Sequence, residues 1–242
     1  MTSGARVRCT DVSQIYDVDG EQVHALRDVD MDIAAGETVA LFGPSGSGKS
    51  TLLSLLAGLR RPTRGQVTLD DVELTTLPER ALLRVRGQRI GIVVQNPSRS
   101  LLPYGTAEDN IRFAQRATER VRRQSLPKPA TLLDRLGLGE LAGQQTARLS
   151  GGEQQRLSVA VAMAGMPSLL LADEPTSQLD GENRDRVVEL MTRVGRSFGV
   201  TIVVVTHDPV VADAAHRTIT LSEGRVVDDG RAVYGASYRG PR

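Results

Sequence analysis

Val39-Ala40-Leu41-Phe42-Gly43-Pro44-Ser45-Gly46-Ser47-Gly48-Lys49-Ser50-Thr51 joins an apolar run to a glycine-rich turn and then to a helical pattern reaching Leu59. The four apolar residues read as a buried strand, and Gly43 to Ser50 matches GxxxxGK[ST] in full. Glycines let successive backbone N–H groups turn inward and form an anion nest. The helix that follows adds its positive N-terminal dipole. Lys49 supplies an ammonium for β- and γ-phosphates, and the Ser50 hydroxyl can ligate Mg²⁺. The chain contains two lysines, Lys49 and Lys128, among 30 Lys and Arg, so Lys49 is not one of many surface lysines. The alternative is a plain Gly/Ser turn between strand and helix.

Further apolar runs occur at Ile90–Val94, Leu169–Ala172 and Thr201–Val205. Each is nearly all apolar rather than alternating, as expected of strands covered on both faces. Helical patterns lie near 49–58, 107–123, 152–165 and 182–197. This alternation predicts an α/β fold, a P-loop NTPase core with a mostly parallel sheet and crossover helices. Residues 1–35 read as short alternating strands, such as Val23 to Leu26 and Val29 to Ile33, forming an antiparallel β edge. Residues 96–150 show no strand and carry breakers at Pro97, Pro103, Pro127 and Pro129. They are expected to form an inserted helical subdomain within a single domain spanning 1–242. The core is then 1–95 plus 151–242, with a loose end at about 232–242.

Composition narrows the function classes. With 30 Lys+Arg against 29 Asp+Glu, the formal net charge is +1, so no global field points to nucleic acid. Aromatics are 3% and Trp is absent, which argues against base-stacking platforms. The single Cys9 excludes an internal disulfide and a Cys-based zinc site. No apolar run is long enough to span a bilayer, and Met1 to Asp11 lacks a signal-peptide core. The expectation is a chain kept in the cytoplasm, with any membrane role coming through a partner. Arg112, Arg116, Arg120, Arg122 and Arg123 read as a solvated helix face, with anionic headgroups as the alternative.

Leu169-Leu170-Leu171-Ala172-Asp173-Glu174 is an apolar strand ending in two carboxylates. In a parallel sheet such ends meet at the ligand crevice. Asp173 could reach Mg²⁺, and Glu174 could polarise an attacking water as general base. Leu149-Ser150-Gly151-Gly152-Glu153 then opens an apolar-periodic helix, a second anion-binding N-terminus.

With these motifs in this order the chain resembles the ATP-binding cassette (ABC) ATPases, over nearly its whole length. The resemblance implies a RecA-like core and an ATPase that couples ATP hydrolysis to transport. Gly43, Pro44, Ser45, Gly46, Ser47, Gly48, Lys49, Ser50 and Thr51 would bind the nucleotide phosphates, and Tyr16 would stack on adenine. Tyr16 as a plain edge-strand aromatic is the alternative. Gln95 matches the glutamine contacting Mg²⁺ and water, alongside Ser50 and Asp173. Glu174 and His207 match the catalytic carboxylate and the histidine that contacts the γ-phosphate and steadies the attacking water and Glu174. Ser150, Gly151, Gly152 and Glu153 match the signature that reaches ATP bound by a second copy, and Asp180 matches the D-loop aspartate. The cofactors implied are ATP and Mg²⁺.

The same resemblance implies a head-to-tail ATP-sandwich dimer and an integral membrane permease as partners, with no nucleic acid. It places the chain on the cytoplasmic face of the inner membrane. Ser100 to Ile111 looks like the lipoprotein-releasing, macrolide-exporter and cell-division group. Gln95-Asn96-Pro97 instead resembles importer cassettes, which is the alternative. A soluble ABC protein on DNA or ribosomes would need a coiled-coil insertion or a second cassette, and neither is present in the sequence. Val161 and Gln178 depart from the commoner Arg and Ala or Asn.

Overall fold

A computed structural model describes residues 4–119 and 126–230. Its strands are β1 (Val7–Val18), β2 (Glu21–Ile33), β3 (Thr38–Phe42), β4 (Arg64–Leu69), β5 (Val72–Glu73), β6 (Ile90–Val93), β7 (Leu169–Asp173), β8 (Thr201–Val205), β9 (Arg217–Ser222) and β10 (Arg225–Gly230). Its helices are α1 (Lys49–Leu56), α2 (Glu79–Arg89), α3 (Ala107–Glu119), α4 (Pro129–Leu136), α5 (Gly151–Met163), α6 (Gly181–Phe198) and α7 (Pro209–Asp213).

The four runs read as buried strands are β3, β6, β7 and β8, side by side in a six-stranded sheet ordered β10-β9-β3-β8-β7-β6. All neighbours from β9 to β6 pair in parallel, and β10 closes the edge antiparallel to β9. The strands divide their side chains by period two. Val39, Leu41, Leu171 and Val205 pack toward α1 and the second sheet. Ala40, Leu170, Ala172 and Val204 pack toward α5 and α6. Both faces of the central strands are therefore dry, which is why these runs are nearly all apolar.

The antiparallel part corrects the sequence reading in extent. It is a sheet of its own, ordered β2-β1-β4-β5, rather than short strands at an edge. The segments Val23–Leu26 and Val29–Ile33 belong to one thirteen-residue strand. Its alternation is interrupted because the β1–β2 pairing shifts register between Cys9 and Ile15. Asp11 and Asp28 take φ values of 53° and 48° there, a left-handed conformation that aspartate tolerates better than most residues. Ser13 Oγ, 3.2 Å from Asp28 Oδ1, ties the irregularity across the two strands.

Among the described residues, 97–148 contribute no strand to either sheet. They form α3, α4 and three short 3₁₀ turns. Buried Asn110 organises the entry to α3: its Nδ2 donates to Leu102 O, Thr106 O and Thr146 Oγ1, and its Oδ1 accepts from Leu102 N. Helix 107–123 of the sequence reading is described to Glu119. Arg120, Arg122, Arg123 and the end at 232–242 lie outside the described residues. No described helix is long and apolar enough to cross a membrane.

Cys9 is buried in β1, and burial, reinforced by Asp30, pushes its thiol up to about 12. The thiolate is the reactive form, so at neutral pH Cys9 should not react with a thiol reagent until the chain unfolds. One equivalent should be released in denaturant and none in the folded chain over the same interval. Fast labelling of the folded chain contradicts this burial.

Candidate functional site

The parallel order β3-β8-β7-β6 brings four loops to one sheet edge. Phe42 leads into the glycine-rich turn, Val205 into Thr206-His207, Asp173 into Glu174, and Val93 toward Gln95. Register fixes their relative depth: Leu41 pairs with Val205, Val205 with Asp173, and Ala172 with Val93. Thr206 N donates to Leu41 O at 3.1 Å and Glu174 N to Val205 O at 3.0 Å, so the loops continue the ladder beyond the strands. This is the crevice beyond carboxyl ends where open α/β sheets hold ligands.

In the glycine-rich turn, Lys49 is 6% exposed. Its ammonium donates to Gly43 O at 2.8 Å and Pro44 O at 2.7 Å, inside the ring of main chain. Gly48, the N-cap of α1, has φ 101°, and a Cβ there would overlap Ala25 O of β2. A side chain at this position would therefore push the turn off the second sheet. Gly224 N, donating to Ser47 O at 3.1 Å, supports the turn from the β9–β10 side. Pro44, Ser45 and Gly46 are exposed and Thr51 is half-buried.

Ser50 Oγ donates to Asp173 Oδ1 at 3.1 Å, so the hydroxyl and carboxylate read as metal ligands stand together. Half-burial pushes the Asp173 carboxyl above its ordinary range; Ser50 offsets this, Glu174 adds to it, and Lys49 opposes it. Oxygen donors of this kind suit Mg²⁺. Among the described residues no cluster of three His, Cys, Asp or Glu could hold a metal without help.

Glu174 Oε2 lies 2.8 Å from His207 Nδ1. Glu174 has φ 45°, a strained conformation for a non-glycine residue, costing about 1–2 kcal/mol. The ladder bond from its N–H and the Ser177 Oγ bond to its carbonyl, at 3.1 Å, hold it there. A cavity of about 310 Å³ opens beside the pair, lined by Ser177, Leu179, Thr206 and Asp208 among others.

Gln95 joins this group through Ser177: its Nε2 donates to Ser177 Oγ at 3.0 Å. Sequence reasoning missed Ser177 as the link between Gln95 and Glu174, because the two partners are 82 positions apart and no local pattern joins them. Tyr16 is half-buried on β1, with the Arg60 guanidinium 5.5 Å from its ring centroid, a cation–π contact that spacing did not suggest.

Ser150, Gly151, Gly152 and Glu153 stand apart from the phosphate-type turn. Among the described residues no hydrogen bond joins 150–153 to 43–51. Ser150 is the N-cap of α5 in a full capping box with Glu153. Ser150 Oγ, and then its backbone N–H, hold the Glu153 carboxyl below its ordinary range. Asp180 caps α6 with its side chain alone, accepting from Asn183 N at 2.9 Å. Ser150 and Gly151 are solvent-exposed, Gly152 behind them is buried, and Glu153 N donates to Ser150 Oγ at 3.3 Å.

Residues 26–177 match the ABC transporter family. The chain is 43% identical over 209 residues to the lipoprotein-releasing system ATP-binding protein LolD of Anaeromyxobacter dehalogenans, covering 85% of each. It is 37% identical to the methionine import ATP-binding protein MetN 2 of Bacillus cereus, over 91% of this chain and 64% of that protein. Among solved structures it resembles the dimeric ATP-binding cassette MJ0796 in a post-hydrolysis state bound to ADP and Pi. That match has TM-score 0.80 and 33% identity, covering 93% of this chain and 97% of the other.

Proposed function

Because the chain belongs to the ABC transporter family, whose ATP-binding subunits hydrolyse ATP, we propose that two copies pack head to tail and share each nucleotide. The phosphate turn of one copy holds the β- and γ-phosphates, and Ser150 to Glu153 of the other close on the γ-phosphate. The observation that carries this reading is the separation of the two anion-binding turns in one chain. An isologous pair brings them together twice and closes on itself.

Within one shared site the residues divide the work. Tyr16 stacks on adenine. Amides of 43–51 and the Lys49 ammonium bind the phosphates; phosphate oxygens replace Gly43 O and Pro44 O as partners of Lys49. Ser50, Asp173 and Gln95 hold Mg²⁺, which neutralises phosphate charge when bound. Glu174 takes a proton from the attacking water, and His207 keeps that carboxylate oriented. Asp180 fixes the turn that faces the second copy. The 43% identity to a lipoprotein-releasing ATPase across most of both chains supports a partner of that kind. We therefore place the subunit at the cytoplasmic face of the inner membrane, driving an integral permease without nucleic acid.

Shared sites make activity depend on pairing. ATPase rate per chain should rise with protein concentration and level off as the chain becomes dimeric in ATP and Mg²⁺. Phosphate release and sedimentation over one dilution series read this. A constant specific activity from a chain that sediments singly at every dilution overturns the shared site.

A further inference from the structure

We propose that Asn183 is a positioning residue that locks the Ser150–Glu153 turn to the Asp180 turn, so that both move as one body when a second copy closes on ATP. The inference rests on the shared-site reading above.

Asn183 lies in the first turn of α6. Its backbone N–H donates to Asp180 Oδ1 at 2.9 Å, and its side-chain Nδ2 donates to Asp180 Oδ2 at 2.9 Å. One residue thus occupies both oxygens of the capping carboxylate, which fixes the orientation of its own amide. With Nδ2 committed to Asp180, Oδ1 faces α5. It stands where a side chain on Gly152 would be: a Cβ there would overlap Asn183 Oδ1 and come within 2.9 Å of Asn183 Cβ. Gly152 is buried at this contact. Only a hydrogen fits on the Gly152 Cα at this contact. The N-termini of α5 and α6 therefore meet through one carboxamide.

The contact lengthens a path that starts at Gln95. Gln95 donates to Ser177, Ser177 donates to Glu174 O, and the chain from Ser177 runs directly to Asp180. Asn183 extends this path to Gly152. A displacement felt at Glu174 or Gln95 is then passed to the turn that must reach the other copy's nucleotide. Aspartate at 183 would set a second carboxylate against Asp180, and alanine would leave both the carboxylate and Gly152 without the bridge.

The test uses the full chain. Asn183→Ala should bind a fluorescent ATP analogue at its own phosphate turn with parental affinity. Its kcat should fall about tenfold, and ATP-driven pairing in a Glu174→Gln background should weaken about tenfold, the scale of coupling between residues in contact. A role confined to helix stability would lower the melting temperature without this split between binding and pairing. The second arm is steric. Gly152→Ala should lose most activity because its methyl meets Asn183, and Gly152→Ala/Asn183→Gly, which clears the Cβ as well as the carboxamide, should recover about tenfold over Gly152→Ala. Parental kcat and pairing in Asn183→Ala, or a double variant no better than Gly152→Ala, overturns the role of Asn183 while leaving the shared site standing. A parent chain that neither pairs nor hydrolyses ATP overturns the shared site and this inference with it.

Discussion

Glu174→Gln should hydrolyse ATP about 10²–10⁴-fold more slowly than the parent chain, the scale of a positioned general base, while keeping its affinity for the nucleotide. The substitution preserves shape and removes basicity. Glutamine fits the same half-buried position, so the ladder bond to Val205 O and the Ser177 bond to the residue 174 carbonyl survive. The phosphate turn, held by Gly224 and the second sheet, is not touched. What is lost is the carboxylate oxygen that faces His207 Nδ1. With the γ-phosphate intact, the contact that joins two copies persists. The variant should therefore elute as a stable pair in ATP and Mg²⁺, where the parent returns to single chains. Phosphate release and gel filtration read the two halves separately. Parental turnover removes Glu174 from the role; slow turnover without pairing separates the chemistry from the shared site.

The parts of this site legible in sequence are those whose chemistry is local. Gly43 to Ser50 declares itself because consecutive amides, a lysine and a helix start must follow one another in the chain. β3, β6, β7 and β8 were legible because burial on both faces of the central strands keeps these runs nearly all apolar, with Thr38, Thr201 and Asp173 only at strand ends. The second sheet was hidden for the opposite reason. Asp11 and Asp28 break the alternation at a bulge, and β4 buries only Val67 and Leu69 among six residues. β9 and β10 went unread because the polar, half-exposed faces of an edge hairpin dilute the apolar signal. The sequence reading also left out α2, of which only Leu82 is buried. Contacts that tie the site together, Gln95 with Ser177 and Asn183 with Gly152, join distant positions and follow only once strand order is known. Roles assigned by resemblance were of a third kind: neither Tyr16 nor His207 sits in a pattern that states its task.

A chain carrying Lys49→Ala and a chain carrying Ser150→Arg should each be nearly inactive alone and should regain activity when mixed. Lys49→Ala removes the buried ammonium from its own turn, with an expected loss of roughly 10²-fold or more for a charged phosphate contact. Ser150→Arg leaves that turn intact but destroys the capping box with Glu153 and puts a bulky side chain where the other copy's γ-phosphate belongs. Paired with itself, either variant has two defective shared sites. Random pairing makes about half of all dimers mixed. Each mixed dimer has one site with both defects and one with none, because the undamaged turn of the Ser150→Arg chain faces the undamaged Ser150 of its partner. The mixture should therefore turn over ATP on the order of tenfold faster than either variant alone, the differential that a restored transition-state contact supplies. A chain that completes its site from its own signature predicts no such gain: each variant would stay as inactive in the mixture as alone. The comparison needs only phosphate release from three samples at equal total protein. Its sign depends on whether Lys49 and Ser150 act on one nucleotide from two different chains.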